Sequence, residues 1–101
     1  VKLSVLGYPW QIKLLDPEEF KEKFGKGLAI TDTDTQEIHI RSDEFTKRIV
    51  CHEIAHAFMH YACTEELNLH GEKAEEFFCD FIGIHGEEII RLTKLVMRRL
   101  K

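Results

Sequence analysis

Between Ser42 and Gly71 the chain carries neither glycine nor proline, and no other feature of the sequence limits the fold so strongly. Both residues break helices, so an apolar-rich stretch without them favours helix. Ser42 offers an N-cap, and Asp43 and Glu44 suit the positive end of the helix dipole, which predicts one helix from Ser42 to about Ala62. Within it stands His52-Glu53-Ile54-Ala55-His56. The i, i+4 spacing sets both imidazoles on one face about a turn apart, so their nitrogens converge on one metal ion, with Glu53 at the edge of that face. At this chain's His and Glu frequencies, roughly 0.04 such matches arise by chance over its length. In the bland alternative His52 and His56 are solvated helix histidines, Cys51 and Ile54 are core, and Glu53 is an ordinary surface acid.

The chain before Ser42 punctuates like strands and turns. Lys2 to Leu6 alternates polar and apolar positions, Gly7-Tyr8-Pro9 breaks the pattern, and Trp10 to Leu15 alternates again. Asp16-Pro17-Glu18-Glu19 combines an N-cap, a proline at the first helical position and acids in the first turn, predicting a short helix to about Phe24. Gly27 to Thr31, a polar tip from Asp32 to Thr35, and Gln36 to Arg41 form a hairpin pattern, with Ile38 and Ile40 on one face. Beyond Gly71, one helix is expected to about His85 and another from Glu87 to Leu100. The fold class is α+β, a small antiparallel sheet packed on the helix that carries the two histidines. Trp10, Phe20 and Phe24 are read as core or rim, and Cys51, Cys63 and Cys79 as core thiols.

Two imidazoles do not close a tetrahedral zinc site; a catalytic centre takes a third protein ligand and leaves the fourth position to water. His60 continues the histidine stripe, but it lies about 12 Å along the axis from His52. The metzincin pattern is excluded, because position 62 is Ala and the required glycine position holds Met59. The next helix offers Glu72, Glu75, Glu76 and Asp80. Glu76-Phe77-Phe78-Cys79-Asp80 sets two carboxylates on one helical face, so Glu76 can bind metal while Asp80 accepts a hydrogen bond from a ligand imidazole. Phe77, Phe78, Phe81, Ile82 and Ile84 are expected to cover that helix and partly enclose Asp80.

HEIAH followed about twenty residues later by E-x-x-x-D resembles the gluzincin metallopeptidases, and at this length the minimal phage- and bacteria-associated group that includes ImmA/IrrE-type proteins. The likeness covers mainly Ile38 to Gly83. It implies a zincin-like fold in which His52, His56 and Glu76 bind zinc, Glu53 is the catalytic base and Asp80 orients His52. His60 fits the HExxHxxxH continuation found in that group. The second helix departs from the pattern, with Lys73-Ala74 and Phe77-Phe78 where an acid before Ala and a Phe-Ala pair are usual, so Glu75 and Glu72 stand beside Glu76 as candidates for the third ligand. The implied activity is hydrolysis of peptide bonds in an intracellular protein by a zinc-activated water, with Glu53 taking its proton. The strand Glu37 to Arg41 would be an edge strand that hydrogen-bonds an extended substrate backbone. Tyr61, Tyr8, His39 and His85 are the available donors for an oxyanion.

At 101 residues, 44% of them apolar, the chain suits one domain with one core and a shallow surface groove. Lys and Arg number 14 against 18 Asp and Glu, a net charge of −4 that supplies no positive field for nucleic acid, and no helix-turn-helix signal accompanies the basic C-terminus. No apolar run reaches the roughly 20 residues of a membrane span, and the first residues lack a signal-peptide core. Three cysteines without a CxxC pair suit a reducing compartment, so a cytoplasmic location is expected. Numbering from Val1 leaves room for a short upstream segment. The alternative to an enzyme is a metal-binding regulatory protein of the same fold; intact Glu53 favours the enzyme, since a structural site needs no carboxylate there.

Overall fold

The computed structural model describes residues 1–62 and 71–100. Four strands, β1 (Lys2–Val5), β2 (Tyr8–Leu15), β3 (Ala29–Asp32) and β4 (Glu37–Arg41), form one sheet in the order β1-β2-β4-β3. Helix α1 (Pro17–Phe24) joins β2 to β3, and α2 (Lys47–Ala62) and α3 (Glu72–Arg99) follow the sheet. The α+β class holds, but the sheet is mixed. The outer pairs are antiparallel, whereas β2 and β4 run parallel from Gln11↔Glu37 to Leu15↔Arg41. A parallel pair needs a crossover, and α1 with β3 supplies it.

The expected edge strand is therefore an interior one. β4 has β2 on one side and β3 on the other, and β3 forms the edge. β2 also starts earlier than the alternation suggested. Leu6 and Gly7, at φ 50° and 87°, make the two-residue turn, so Pro9 lies within the strand opposite Ser4. The pair that closes such a hairpin is Val5↔Tyr8, which leaves the nitrogen of Pro9 facing away from β1, beyond the point where β4 begins to pair. No ladder bond is lost there.

The second half of the chain departs from expectation at the start of α2 and at the break expected between its last two helices. Ser42–Glu44 forms a single 3-10 turn, and α2 begins at Lys47. Thr46 is the effective cap, its hydroxyl accepting from the amide of Ile49 at 3.3 Å. Asp43 is engaged instead by the Arg41 guanidinium through two hydrogen bonds. The two expected C-terminal helices are one, continuous through Gly83 and Gly86. A mid-helix glycine costs only about 1 kcal/mol, and burial of Phe81, Ile89, Leu92 and Val96 along the same helix offsets it.

The main core lies between the sheet and α2 with α3. Leu3, Val5, Trp10, Ile12, Ile38 and Ile40 meet Val50, Ile54, Ala57 and Phe58 of α2 and Phe81, Ile89, Leu92 and Val96 of α3. On the other face α1 covers β4, with Phe20 buried and Phe24 against the ring of His39 at 4.9 Å. Trp10 and Phe20 are thus core and Phe24 rim, as expected. Cys51 is half-buried, but Cys79 is exposed and is no core thiol; Cys63 lies outside the described residues. Among the described residues no helix is long and apolar enough to cross a membrane.

Candidate metal centre

α2 buries Val50, Glu53, Ile54, Ala57 and Phe58. That is the i, i+3, i+4, i+7, i+8 stripe of a helix facing a core, and Glu53 holds one of its apolar positions. It is 7% exposed, so it is no ordinary surface acid. A carboxylate so enclosed needs a donor, and the neighbouring edge strand provides it. The Thr31 hydroxyl on β3 lies 2.9 Å from Glu53 Oε1 and 3.2 Å from the Glu53 carbonyl oxygen. One hydroxyl has one hydrogen, and the nearer, carboxylate oxygen is the stronger acceptor.

His52 and His56 stand on the exposed flank of the same helix, with their Nε2 atoms 3.1 Å apart. Two nitrogens at that separation, each about 2.05 Å from an ion, subtend about 98° at it, close to the tetrahedral angle of a zinc site. The second carboxylate oxygen of Glu53 lies 3.8 Å from His52 Nε2. His52, Glu53 and His56 are the one group of metal-binding side chains found together among the described residues. The donor set therefore fits a divalent metal, with two imidazoles as ligands and Glu53 set beside them by Thr31.

Helix α3 does not add to this group. Glu72, Glu75, Glu76 and Asp80 are all exposed, and Glu76 is not a member of the cluster. The expected enclosure of Asp80 is absent, because Phe78, Ile82 and Ile84 stay in solvent while Phe81 alone among the apolar residues around it is buried. Glu76 lies about 140° around the helix from Phe81, so seating Phe81 on the core turns Glu76 away from it. His60 is exposed and stands edge-on to Tyr61, outside the group.

The suggested oxyanion donors have other duties. Tyr61 accepts hydrogen bonds from Trp10 Nε1 at 2.9 Å and Gln36 Nε2 at 3.1 Å, and Tyr8 stacks on its ring at 4.3 Å. His85 packs between Phe58 and Phe81. His39 is buried under α1, its Nε2 3.4 Å from Glu37 and its Nδ1 without a hydrogen-bond partner among the described residues. Thr31 is the one site residue that no motif in the sequence marks. Its signal is the inward position it shares with Ala29 on β3, a hydroxyl aimed at a helix stripe that itself holds one acid. Comparison with family models, with curated proteins and with solved structures gives no match.

Proposed function

We propose that this chain is a zinc-dependent metallopeptidase of the gluzincin type with a zincin-like fold, hydrolysing peptide bonds in a protein or peptide substrate. The observation that carries it is the junction of two converging imidazoles with a buried carboxylate at the position next to the first of them, where a structural site has no need of one. Zinc, when bound, supplies a Lewis acid that polarises the scissile carbonyl and makes water easier to deprotonate. His52 and His56 hold it. Glu53 takes the proton of the attacking water and passes it to the leaving amine, and the Thr31 hydroxyl fixes which carboxylate oxygen is free to do so. The free edge of β3, beside α2, is the place for an extended substrate backbone. Glu76 is the third ligand in this proposal and Asp80 the hydrogen-bond partner of His52. The unbridged Cys51 and Cys79 accord with a cytoplasmic setting.

Incubation of the zinc-loaded protein with unfolded protein or a peptide library tests it. The native chain should cleave slowly, and Glu53→Gln should retain zinc without cutting. Equal product from both would trace the activity to a contaminating protease. The exposure of Glu76, apart from the histidines, favours one second reading: a regulatory protein that binds metal through α2 alone. Failure to cleave any substrate while zinc stays bound would select it.

A further inference from the structure

The two edges of the sheet are not equivalent. At β1, Val1 and Ile12 exchange both main-chain hydrogen bonds, Val1 N to the Ile12 carbonyl at 2.9 Å and Ile12 N to the Val1 carbonyl at 2.8 Å. Such pairs alternate along an antiparallel ladder, so Val1, Leu3 and Val5 bond β2, and Lys2 and Ser4 turn their main-chain groups outward. A lysine there guards the edge against a further strand. β3 carries neither lysine nor proline, and its one charge, Asp32, turns a carboxylate oxygen into the hairpin tip.

Register fixes which groups the β3 edge offers. The Arg41 amide donates to the Leu28 carbonyl at 2.9 Å, one step beyond the pairing of Ala29 with Ile40. Leu28, Ile30 and Asp32 therefore bond β4, while the N–H and C=O of Ala29 and Thr31 point away from it. The far side of β4 agrees: the Gln36 carbonyl accepts from the Gln11 amide of β2 at 3.1 Å, so 38 and 40 also face β2 and 37, 39 and 41 are left for β3. Thr31 thus works in two directions. Its hydroxyl reaches inward to Glu53 Oε1 at 2.9 Å, and its main chain lies bare on the edge.

We infer that Thr31 is a positioning residue that couples peptide binding to the orientation of Glu53. An extended peptide adds to β3 by pairing with the main chain of Ala29 and Thr31, and the residue that grips it is the one whose hydroxyl holds the carboxylate. The role of Glu53 as a base rests on the peptidase reading; the pairing does not. Whichever way the peptide runs, it must supply two free amides two residues apart in extended conformation. A helical segment or one with proline at either place cannot. Fixing the Thr31 main chain also fixes the hydroxyl, which keeps Oε1 engaged and leaves the other oxygen 3.8 Å from His52 Nε2.

NMR on the whole chain with chelator present, so that nothing is cut, tests this with acetyl-Thr-Val-Thr-Val-Thr-amide at millimolar concentration as the probe. In the free chain the amides of Ala29 and Thr31 should exchange at least about tenfold faster than that of Ile30. The peptide should slow those two, leave Ile30 unchanged, and shift the Glu53 carboxyl carbon resonance in the native chain but not in Thr31→Val. Ala29→Pro, whose nitrogen faces outward and loses no bond to β4, should keep native circular dichroism and zinc affinity while losing the protection at Thr31. With zinc and casein, Thr31→Val should lower kcat at unchanged KM, Thr31→Ser should restore it, and Ala29→Pro should raise KM at least about tenfold. Peptide that protects Ile30 instead, or no amide of β3, would overturn the inference. So would an Ala29→Pro chain that is protected as before, or a Glu53 resonance that responds equally with Val at position 31. Failure of the native chain to cut casein, with the NMR responses in place, would count against the peptidase and leave the coupling standing.

Discussion

Helix α2 turns Val50, Glu53, Ile54, Ala57 and Phe58 into the core, whereas Glu72, Glu75, Glu76 and Asp80 at the start of α3 all face solvent. These are the two sources of ligands that a three-residue zinc site would draw on, and they are held in opposite ways. The histidines of α2 stand on a helix locked between sheet and α3, so the spacing of their backbone positions is fixed by the fold. The acids of α3 stand on turns whose core contact runs through Phe77 and Phe81. Preorganisation therefore resides in α2, and any carboxylate ligand from α3 would be the part left adjustable.

The widest contrast is in stability. Phe58, fully buried on α2, and Phe78, half-exposed on α3, are the same residue in the two settings. Phe58→Ala should cost about 3–5 kcal/mol of unfolding free energy and Phe78→Ala about 0.5 kcal/mol or less, as read from urea denaturation. Similar losses at both positions would mean that the start of α3 is packed and the comparison is wrong.

Metal affinity separates the same two helices. His52→Ala or His56→Ala should weaken zinc binding at least about a hundredfold, and Glu53→Gln should leave it nearly intact. Glu76→Ala should show a severe loss and Asp80→Ala a smaller one of about 10 to 100-fold. Titration calorimetry on the five variants ranks them. If position 76 proves neutral, α2 alone holds the metal, and the regulatory function displaces the enzyme.

A third measurement isolates the hydroxyl that reaches Glu53 from the edge strand. Thr31→Val leaves a buried carboxylate without its donor and should cost about 1–3 kcal/mol, with Thr31→Ser restoring most of it. If the chain is the proposed peptidase, Thr31→Val should lower kcat and leave zinc affinity unchanged. A drop in affinity without a change in kcat would assign Thr31 to the metal and not to the base.

The smallest effects belong to surface ion pairs remote from both helices' roles. Arg41 holds the Asp43 carboxyl below its ordinary value of 3.8, and Lys13 holds that of Glu37 below 4.5. A carboxyl depressed in the folded state contributes stability that is complete above the unfolded value and disappears as pH falls through the folded one. Urea midpoints should therefore decline modestly below about pH 4, and Asp43→Asn should flatten that decline. A stability change centred near neutral pH would point to histidine instead.

The α2 motif, the hairpin tip, the short helix after Asp16-Pro17 and part of the core are legible in the residues alone. Each is a local pattern in which spacing, capping and turn chemistry agree. The tip shows why: Asp32 Oδ1 accepts from the amides of Asp34 and Thr35, a closure within four residues that needs no distant partner. Packing between distant segments set the rest. Parallel pairing of β2 with β4, and hence β3 at the edge, depends on where α1 carries the chain across the sheet, which no strand's own alternation encodes. The single α3 exists because burial of Phe81, Ile89 and Leu92 outweighs two glycines that locally signal a break. The rotation of that helix, with Phe81 in and Glu76 out, follows from the same burial, since apolar area buried on Phe58 and its neighbours outweighs any preference of a solvated acid. Glu53 and Thr31 lie 22 positions apart in the chain. Only the packing of β3 on α2 makes one the partner of the other.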